Sequence, residues 1–158
     1  MKILVVSDSF KGSMTSKEVG MTICDYYQNH HLEATYLPIS DGGEGFLDAI
    51  NDSFQLEKQQ MQVEDANFNY TESAYIIDQK NKIAYLELAQ SIGLAKLDKN
   101  KLNALYASSF GFGHLIKEII LKYQIKKIII GIGGSATSDL GCGMLEALGV
   151  EFIDKDGF

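Results

Sequence analysis

No arginine occurs among the 158 residues, so the positive charge rests on 14 lysines against 21 acidic residues. Without the guanidinium fork, an anionic ligand must be held by backbone N–H groups, by lysine or by a metal ion. A net charge of −7 also argues against broad nucleic-acid binding, which depends on basic side chains neutralising phosphates. Cysteine is nearly as scarce. Cys24 and Cys142 are far apart with no CxxC pair, which weighs against a zinc site or a disulfide framework. Pro38 is the single proline, and no Pro-rich linker, repeat or low-complexity segment breaks the chain. The apolar runs are strand-length, well short of the roughly 18 residues that a membrane helix needs. The opening MKILVVSDSF has a lysine and a short apolar run but no small-residue cleavage site, so it reads as a buried first strand and not a signal peptide. These absences lead us to expect a cytoplasmic protein with no membrane or nucleic-acid partner.

What is present is a 46% hydrophobic chain, enough to build one globular core or one domain and part of another. KILVVS (2–7) is a continuous apolar strand of the kind buried on both faces of a parallel sheet. Thr15-Ser16-Lys17-Glu18 matches a capping box, followed by Val19, Ile23 and Tyr26/Tyr27 at helical spacing. EATYLPIS (33–40) reads as a second strand, and FLDAINDSF (46–54) as a helix with Phe46, Leu47, Ile50 and Phe54 on one face. The alternation favours a parallel α/β layer. Segments 59–65, 70–78 and 82–90 then read as a small meander, and 96–107 as weakly helical. Residues 108–123 form a helix capped by Ser108 or Ser109, with Leu115, Ile116, Ile119, Ile120 and Tyr123 on one face. KKIIIGIGG (126–134) is a strand, and VEFID (150–154) begins another.

Chemistry concentrates where strands end in Gly/Ser/Asp-rich loops that lead into helices: SDSFKGS (7–13), SDGGEG (40–45) and GIGGSATSDLG (131–141). SSFGFG (108–113) opens a helix in the same way. In parallel sheets, ligands gather outside the carboxyl ends of strands, where glycine permits close approach and helix N-termini offer unpaired N–H donors. Plainer readings compete. Asp41 and Glu44 are spaced as N-cap and N3 of the next helix, Lys11 suits an ordinary surface position, and Asp139 suits a helix cap. GIGGSA (131–136) also fits the dinucleotide pattern G-x-G-x-x-A, with Asp154 near the place of a ribose-binding acid. Gly141 and Gly143 inside the following helix would cost about 1 kcal/mol each, which weakens that reading. No Walker-type G-x-x-x-x-G-K-[ST] is present. Ser135 and Thr137 make the loop look more like a longer anion nest.

These segments together resemble the glycerate kinases of the bacterial class I type. SDSFKGSMTS, PISDGGEG, ELAQSIGL, SSFGFGHLI and GIGGSATSDLGCGMLEALG are each similar to a family segment, in order along the whole chain. Departures are Ser40 for alanine, Phe46 for threonine, Ser138 for asparagine, Leu140 for glycine, and Lys101 for proline, and the arginine that follows there in the family is missing. Leu140 matters most, because a bulky side chain in a close-approach loop could alter its geometry. Family members continue well beyond this length, so the chain resembles an N-terminal portion.

The resemblance implies an α/β fold: a parallel-sheet βα layer followed by the start of a second, mixed α/β lobe with a small meander. Residues 1–60 would belong to the first lobe and 61–158 to an incomplete second. It implies ATP-dependent phosphorylation of D-glycerate, with ATP and Mg²⁺ required. Asp8, Lys11 and Asp41 would be catalytic, and Ser9, Gly42, Gly43 and Glu44 would bind substrate. Gly131, Gly133, Gly134, Ser135, Ala136 and Thr137 would cradle phosphate, with Asp41 and Asp139 near the metal. A non-catalytic nucleotide- or acid-binding module and a dinucleotide-binding oxidoreductase are the alternatives.

Overall fold

A computed structural model describes residues 1–10, 12–155 and 157. The elements run β1 (Lys2–Val5), α1 (Ser16–Asn29), β2 (Glu33–Tyr36), α2 (Phe46–Phe54), β3 (Lys58–Glu64), β4 (Tyr70–Asp78) and β5 (Ile83–Glu87). They continue with α3 (Ala89–Ile92), two short 3₁₀ turns, α4 (Phe110–Lys122), β6 (Lys127–Gly131) and α5 (Cys142–Ala147). β1 and β2 pair in parallel as a two-stranded sheet. β3, β4 and β5 form the expected antiparallel meander, and β6 joins β5 in parallel to complete a mixed four-stranded sheet. The α/β class expected from the sequence is the one observed.

The mixed sheet is covered on both faces, as the strand alternation dictates. Tyr75, Ile77 and Leu86 turn toward Phe112, Leu115 and Ile119 of α4. Ile76 and Tyr85 turn the other way, toward Leu47 of α2. Ile120 is half exposed, because α4 lays a stripe narrower than its run of apolar residues onto the sheet. The smaller sheet is covered on one face only, where Val5 and Ala34 meet Cys24 of α1. The buried line of α1 is therefore Gly20 and Cys24, and Ile23 and Tyr26, expected on it, face solvent. Gly20 is needed there: a Cβ would lie 2.1 Å from the Tyr36 ring. That ring hydroxyl reaches Ser16 Oγ at 2.8 Å.

Several boundaries differ from the sequence reading. β2 stops at Tyr36, before Pro38, which has no N–H for a ladder. β5 ends at Glu87, and Leu88 N–H, bonded to Gly131 O at 2.9 Å, turns the chain into α3. The span 96–107, expected to be weakly helical, is mostly irregular, with short 3₁₀ turns at Leu94–Lys96 and Lys99–Lys101, the second started by Asp98 accepting from Asn100 N–H at 2.9 Å. Residues 150–154 form no strand, since no neighbouring strand among the described residues pairs with them.

Helix starts explain how the loops are set. α1 carries its own capping box: Thr15 Oγ1 accepts from Glu18 N–H, and Glu18 accepts from Thr15 N–H at 2.7 Å. α2 has no local cap. Its N-cap is Gly45, at φ +90°, not Asp41. The buried carboxylate of Glu87 replaces a local cap, accepting from Leu47 N–H at 3.0 Å, Gly45 N–H at 3.4 Å and Gln90 Nε2 at 3.1 Å. A negative group at the positive end of a helix is favourable, and the hydrogen bonds offset the cost of burying it. Glu87→Ala should therefore destabilise the fold by about 3 kcal/mol, by stranding buried donors, measured by urea unfolding. A change below about 1 kcal/mol would show that water replaces the carboxylate without loss.

Candidate functional site

The first two Gly-rich loops enclose an open cleft of 320 Å³ between α1 and α2. Asp8 and Ser9 line one wall, and Ser40, Glu44 and Gly45 the other, with Asp48 and Asp52 of α2 below. Asp8 Oδ1 accepts from Ser9 N–H at 2.7 Å, which bends the loop after β1. Lys17 pairs with Asp52 at 2.7 Å and so ties α1 to α2 across the cleft; the carboxylate raises the pKa of the ammonium group. Among the described residues, the charged part of the cleft wall is mostly acidic: Asp8, Glu18, Glu44, Asp48 and Asp52 outnumber Lys17. Lys11, expected beside Asp8, lies outside the described residues.

Asp41 does not line this cleft. Its Oδ1 accepts from Gly43 N–H at 2.7 Å, closing a turn on its own loop. Because Glu87 caps α2, neither Asp41 nor Glu44 is used as that helix's cap. The second loop is instead pressed against the third. Gly133 N–H donates to Gly42 O at 2.9 Å, and a Cβ on Gly133 would fall 2.6 Å from Gly43 Cα. A Cβ on Gly131 would meet Gly42 O at 2.7 Å. These glycines are required because two backbones touch. Glu44 links the two regions, lining the cleft and lying 3.8 Å from where a side chain on Gly134 would stand.

The third loop uses many of its own donors internally. Gly133 N–H is bound as above, Ala136 N–H donates to Ile92 O at 2.9 Å, and Thr137 N–H donates to Ser135 Oγ at 3.1 Å. Ser135 Oγ and Thr137 Oγ1 are 3.0 Å apart and exposed. α5 begins only at Cys142, after an irregular run from Ile132 to Gly141. A dinucleotide fingerprint brings its helix N-terminus to the glycines directly, so this geometry does not match one.

Asp139 holds the far end of the loop. Its Oδ2 accepts from Ser109 N–H and Oγ at 2.7 Å each and from Gly143 N–H at 3.2 Å, and its Oδ1 accepts from Gly141 N–H at 3.2 Å. Ser109 Oγ in turn accepts from Met144 N–H at 2.9 Å. Burial pushes the Asp139 pKa up, but the bonds from Ser109, Gly141 and Gly143 outweigh it and hold the carboxyl below its ordinary value. Leu140 adopts φ +56°, a conformation suited to glycine, with its side chain 96% exposed. The loop keeps its turn, and the leucine bears the backbone strain.

Sequence reasoning missed Glu87, Ser109 as a cap for α5, and the His114–Glu64 contact of 2.7 Å between α4 and β3. Each depends on a partner distant in sequence. Among the described residues, no group of three or more His, Cys, Asp or Glu side chains could hold a metal ion. No helix among them is long and apolar enough to cross a membrane.

With this geometry in place, comparison with known proteins is direct. Residues 3–158 match the glycerate kinase family. The chain belongs to that family. It is 38% identical over 159 residues to a glycerate kinase of Neisseria meningitidis serogroup B, covering 99% of this chain and 42% of the relative. A glycerate 2-kinase of Escherichia coli is 35% identical, with 99% and 42% covered. Among solved structures, one described as "putative glycerate kinase 2" from Salmonella typhimurium LT2 superposes with a TM-score of 0.82 at 32% identity, over 99% of this chain and 42% of that one. The chain thus spans about two-fifths of the length of these relatives.

Two outcomes are expected. Leu140→Gly should raise stability by about 1 kcal/mol by removing the left-handed strain, read as a higher Tm; an unchanged or lower Tm would mean the leucine has compensating contacts. Because the folded pKa of Asp139 is depressed, its contribution is present above its unfolded value and lost as pH falls below about 4. Urea melts of the native chain and of Asp139→Asn should therefore differ at neutral pH, and the gap should shrink as acid protonates the folded carboxyl. A constant gap would contradict this.

Proposed function

We propose that this chain is the N-terminal portion of a glycerate kinase that moves the γ-phosphoryl group of ATP to a hydroxyl of D-glycerate. The observation that carries the reading is the junction of an acidic cleft with a glycine-rich loop through Glu44 and Gly134. Phosphoryl transfer asks the protein for positioning and charge stabilisation and for little covalent chemistry; such a junction supplies the positioning, and the charge stabilisation falls to a cation beside it. The family membership supports it.

On this reading Asp8, Ser9 and Glu44 orient the acceptor within the cleft, with Asp41 beside it. Gly131 to Thr137 face the phosphates, chiefly through the hydroxyls of Ser135 and Thr137 and the backbone of Gly134 and Ser135. An anionic substrate beside so many carboxylates needs a cation, which supports a role for Lys11 and for magnesium. Mg²⁺ is commonly held by one or two carboxylates together with substrate phosphates. When bound, it neutralises charge on the phosphate oxygens. Asp8 and Asp41 are the better candidates to hold it. Asp139 already accepts four hydrogen bonds and suits the role of fixing the loop. The two-lobe division at residue 60 belongs to the same proposal, with β3 (Lys58–Glu64) crossing that boundary and α2 packed on the mixed sheet beyond it. A cytoplasmic location belongs to the same reading.

The test is ADP release from Mg-ATP with and without D-glycerate, using this chain and the chain completed by the missing part of a relative. Glycerate-dependent release is expected, with a loss of at least about a hundredfold in kcat for Lys11→Ala. A folded, completed protein that releases no ADP, or does so equally without glycerate, would sink the reading.

A further inference from the structure

The lysines of this chain are unevenly placed. Five of the 14, Lys80, Lys82, Lys122, Lys126 and Lys127, stand in the turn between β4 and β5 and in the stretch from the end of α4 to the start of β6. That is the end of the mixed sheet remote from the third Gly-rich loop: Ile83 of β5 is in register with Lys127 of β6 there, and Glu87 with Gly131 at the loop end. Between the two segments lies a cavity of 260 Å³. Ile77 and Ile125 supply its apolar lining, Gln79 and Gln124 its carboxamides, and Lys82 and Lys122 its positive charge. No carboxylate lines it among the described residues, in a protein of net charge −7 whose larger cleft is lined by Asp8, Glu18, Glu44, Asp48 and Asp52. Asp78 alternates with Ile77, which packs under α4, and so turns to the other face of the sheet. Its carboxylate accepts from Asn81 N–H at 2.9 Å and Asn81 Nδ2 at 2.7 Å.

The walls of the cavity are held by the fold. Lys82 O accepts from Lys126 N–H at 2.8 Å and Lys127 N–H at 3.3 Å, which ties the turn to the opposite segment. Tyr123, also in the lining, donates to Gln59 Oε1 at 2.7 Å, and Lys122 Nζ lies 5.2 Å from its ring centroid. Lys122 has a local reason to be present, since a cation in the last turn of a helix complements its dipole. Lys82 has no such reason. It is half-buried, forms no ion pair among the described residues, and adopts φ +57°, a conformation that favours glycine.

We propose that this cavity is a binding site for a small organic anion of two or more negative charges, such as a phosphomonoester, held by the Lys82 and Lys122 ammonium groups with its uncharged body against Ile77 and Ile125. The volume lies just under the range of ordinary small-molecule sites, about 300 Å³ upward, so the ligand is metabolite-sized. Lys80, Lys126 and Lys127, which flank the cavity in sequence, raise the local concentration of anions. The inference uses none of the residues of the acidic cleft and stands whichever reaction that cleft performs.

The probe is phenyl phosphate, a doubly charged group on an apolar body, titrated into this chain at about 0.15 M salt so that loose surface attraction is screened. It is expected to shift the backbone amide NMR signals of residues 79–83 and 122–127 and to bind about tenfold more tightly than inorganic phosphate. Lys82→Gly and Lys122→Gln should each weaken binding about tenfold, the loss of one charged contact. Lys82→Gly should do so without lowering the Tm, because glycine relieves the left-handed backbone; a merely structural lysine would not separate the two readouts. The proposal is overturned if no signal in 79–83 or 122–127 moves, or if either variant binds as tightly as the native chain. Equal binding of inorganic phosphate would mark an adventitious ion only and overturn it too. A hexaglutamate peptide that shifts the same signals at lower concentration than phenyl phosphate would assign the patch to an acidic polypeptide and overturn it equally.

Discussion

The buried carboxylate of Glu87 is the interaction on which the arrangement of the loops depends. It sits at the end of a central strand and holds the first turn of α2 by two backbone donors. That one contact fixes the direction in which the second Gly-rich loop enters its helix. With the loop held from beneath, the side chains of Asp41 and Glu44 are released from capping duty. The backbone of Gly42 and Gly43 is then free to lie against Gly131 and Gly133, where any Cβ on Gly133 would collide with main chain.

The same device recurs at the other end of the site. α5 starts at a glycine without a side-chain cap of its own and takes its hydrogen bonds from Asp139 and Ser109. Ser109 belongs to the start of α4, so one serine and one carboxylate bind two helix starts and the third loop into a unit. Loops rich in glycine are costly to order. Here their order comes from polar groups held at the buried end of β5 and at the start of α4.

This division explains what was legible in the sequence. The Thr15–Glu18 box could be read because both partners lie within one turn. The strands of the meander could be read from the short polar turns that separate them, such as QKNK (79–82), and the loops from composition and family resemblance. The cap of α2 could not: Glu87 opens the family-like segment ELAQSIGL, but the helix start it caps lies forty residues away. Leu140 was visible as a departure, but its outcome was not: whether the backbone would shift or strain depended on Asp139 holding the turn from both sides. Nor could the internal use of Gly133 and Ala136 N–H groups be seen, since their acceptors come from elsewhere in the chain, Gly42 from the second loop and Ile92 from the end of α3.

The forty-residue reach of Glu87 also sets an order of events during synthesis. Helix α2 leaves the ribosome well before the residue that completes its N-terminus, and nine residues is too short a helix to persist alone in water. Residues 46–54 therefore stay unsettled until the meander has formed and β5 has delivered its carboxylate. Loop closure over this span costs only a few kcal/mol more than a short one, so the delay is one of sequence order and not of a high barrier. The second loop, and the cleft wall built on it, becomes structured after the sheet and not before.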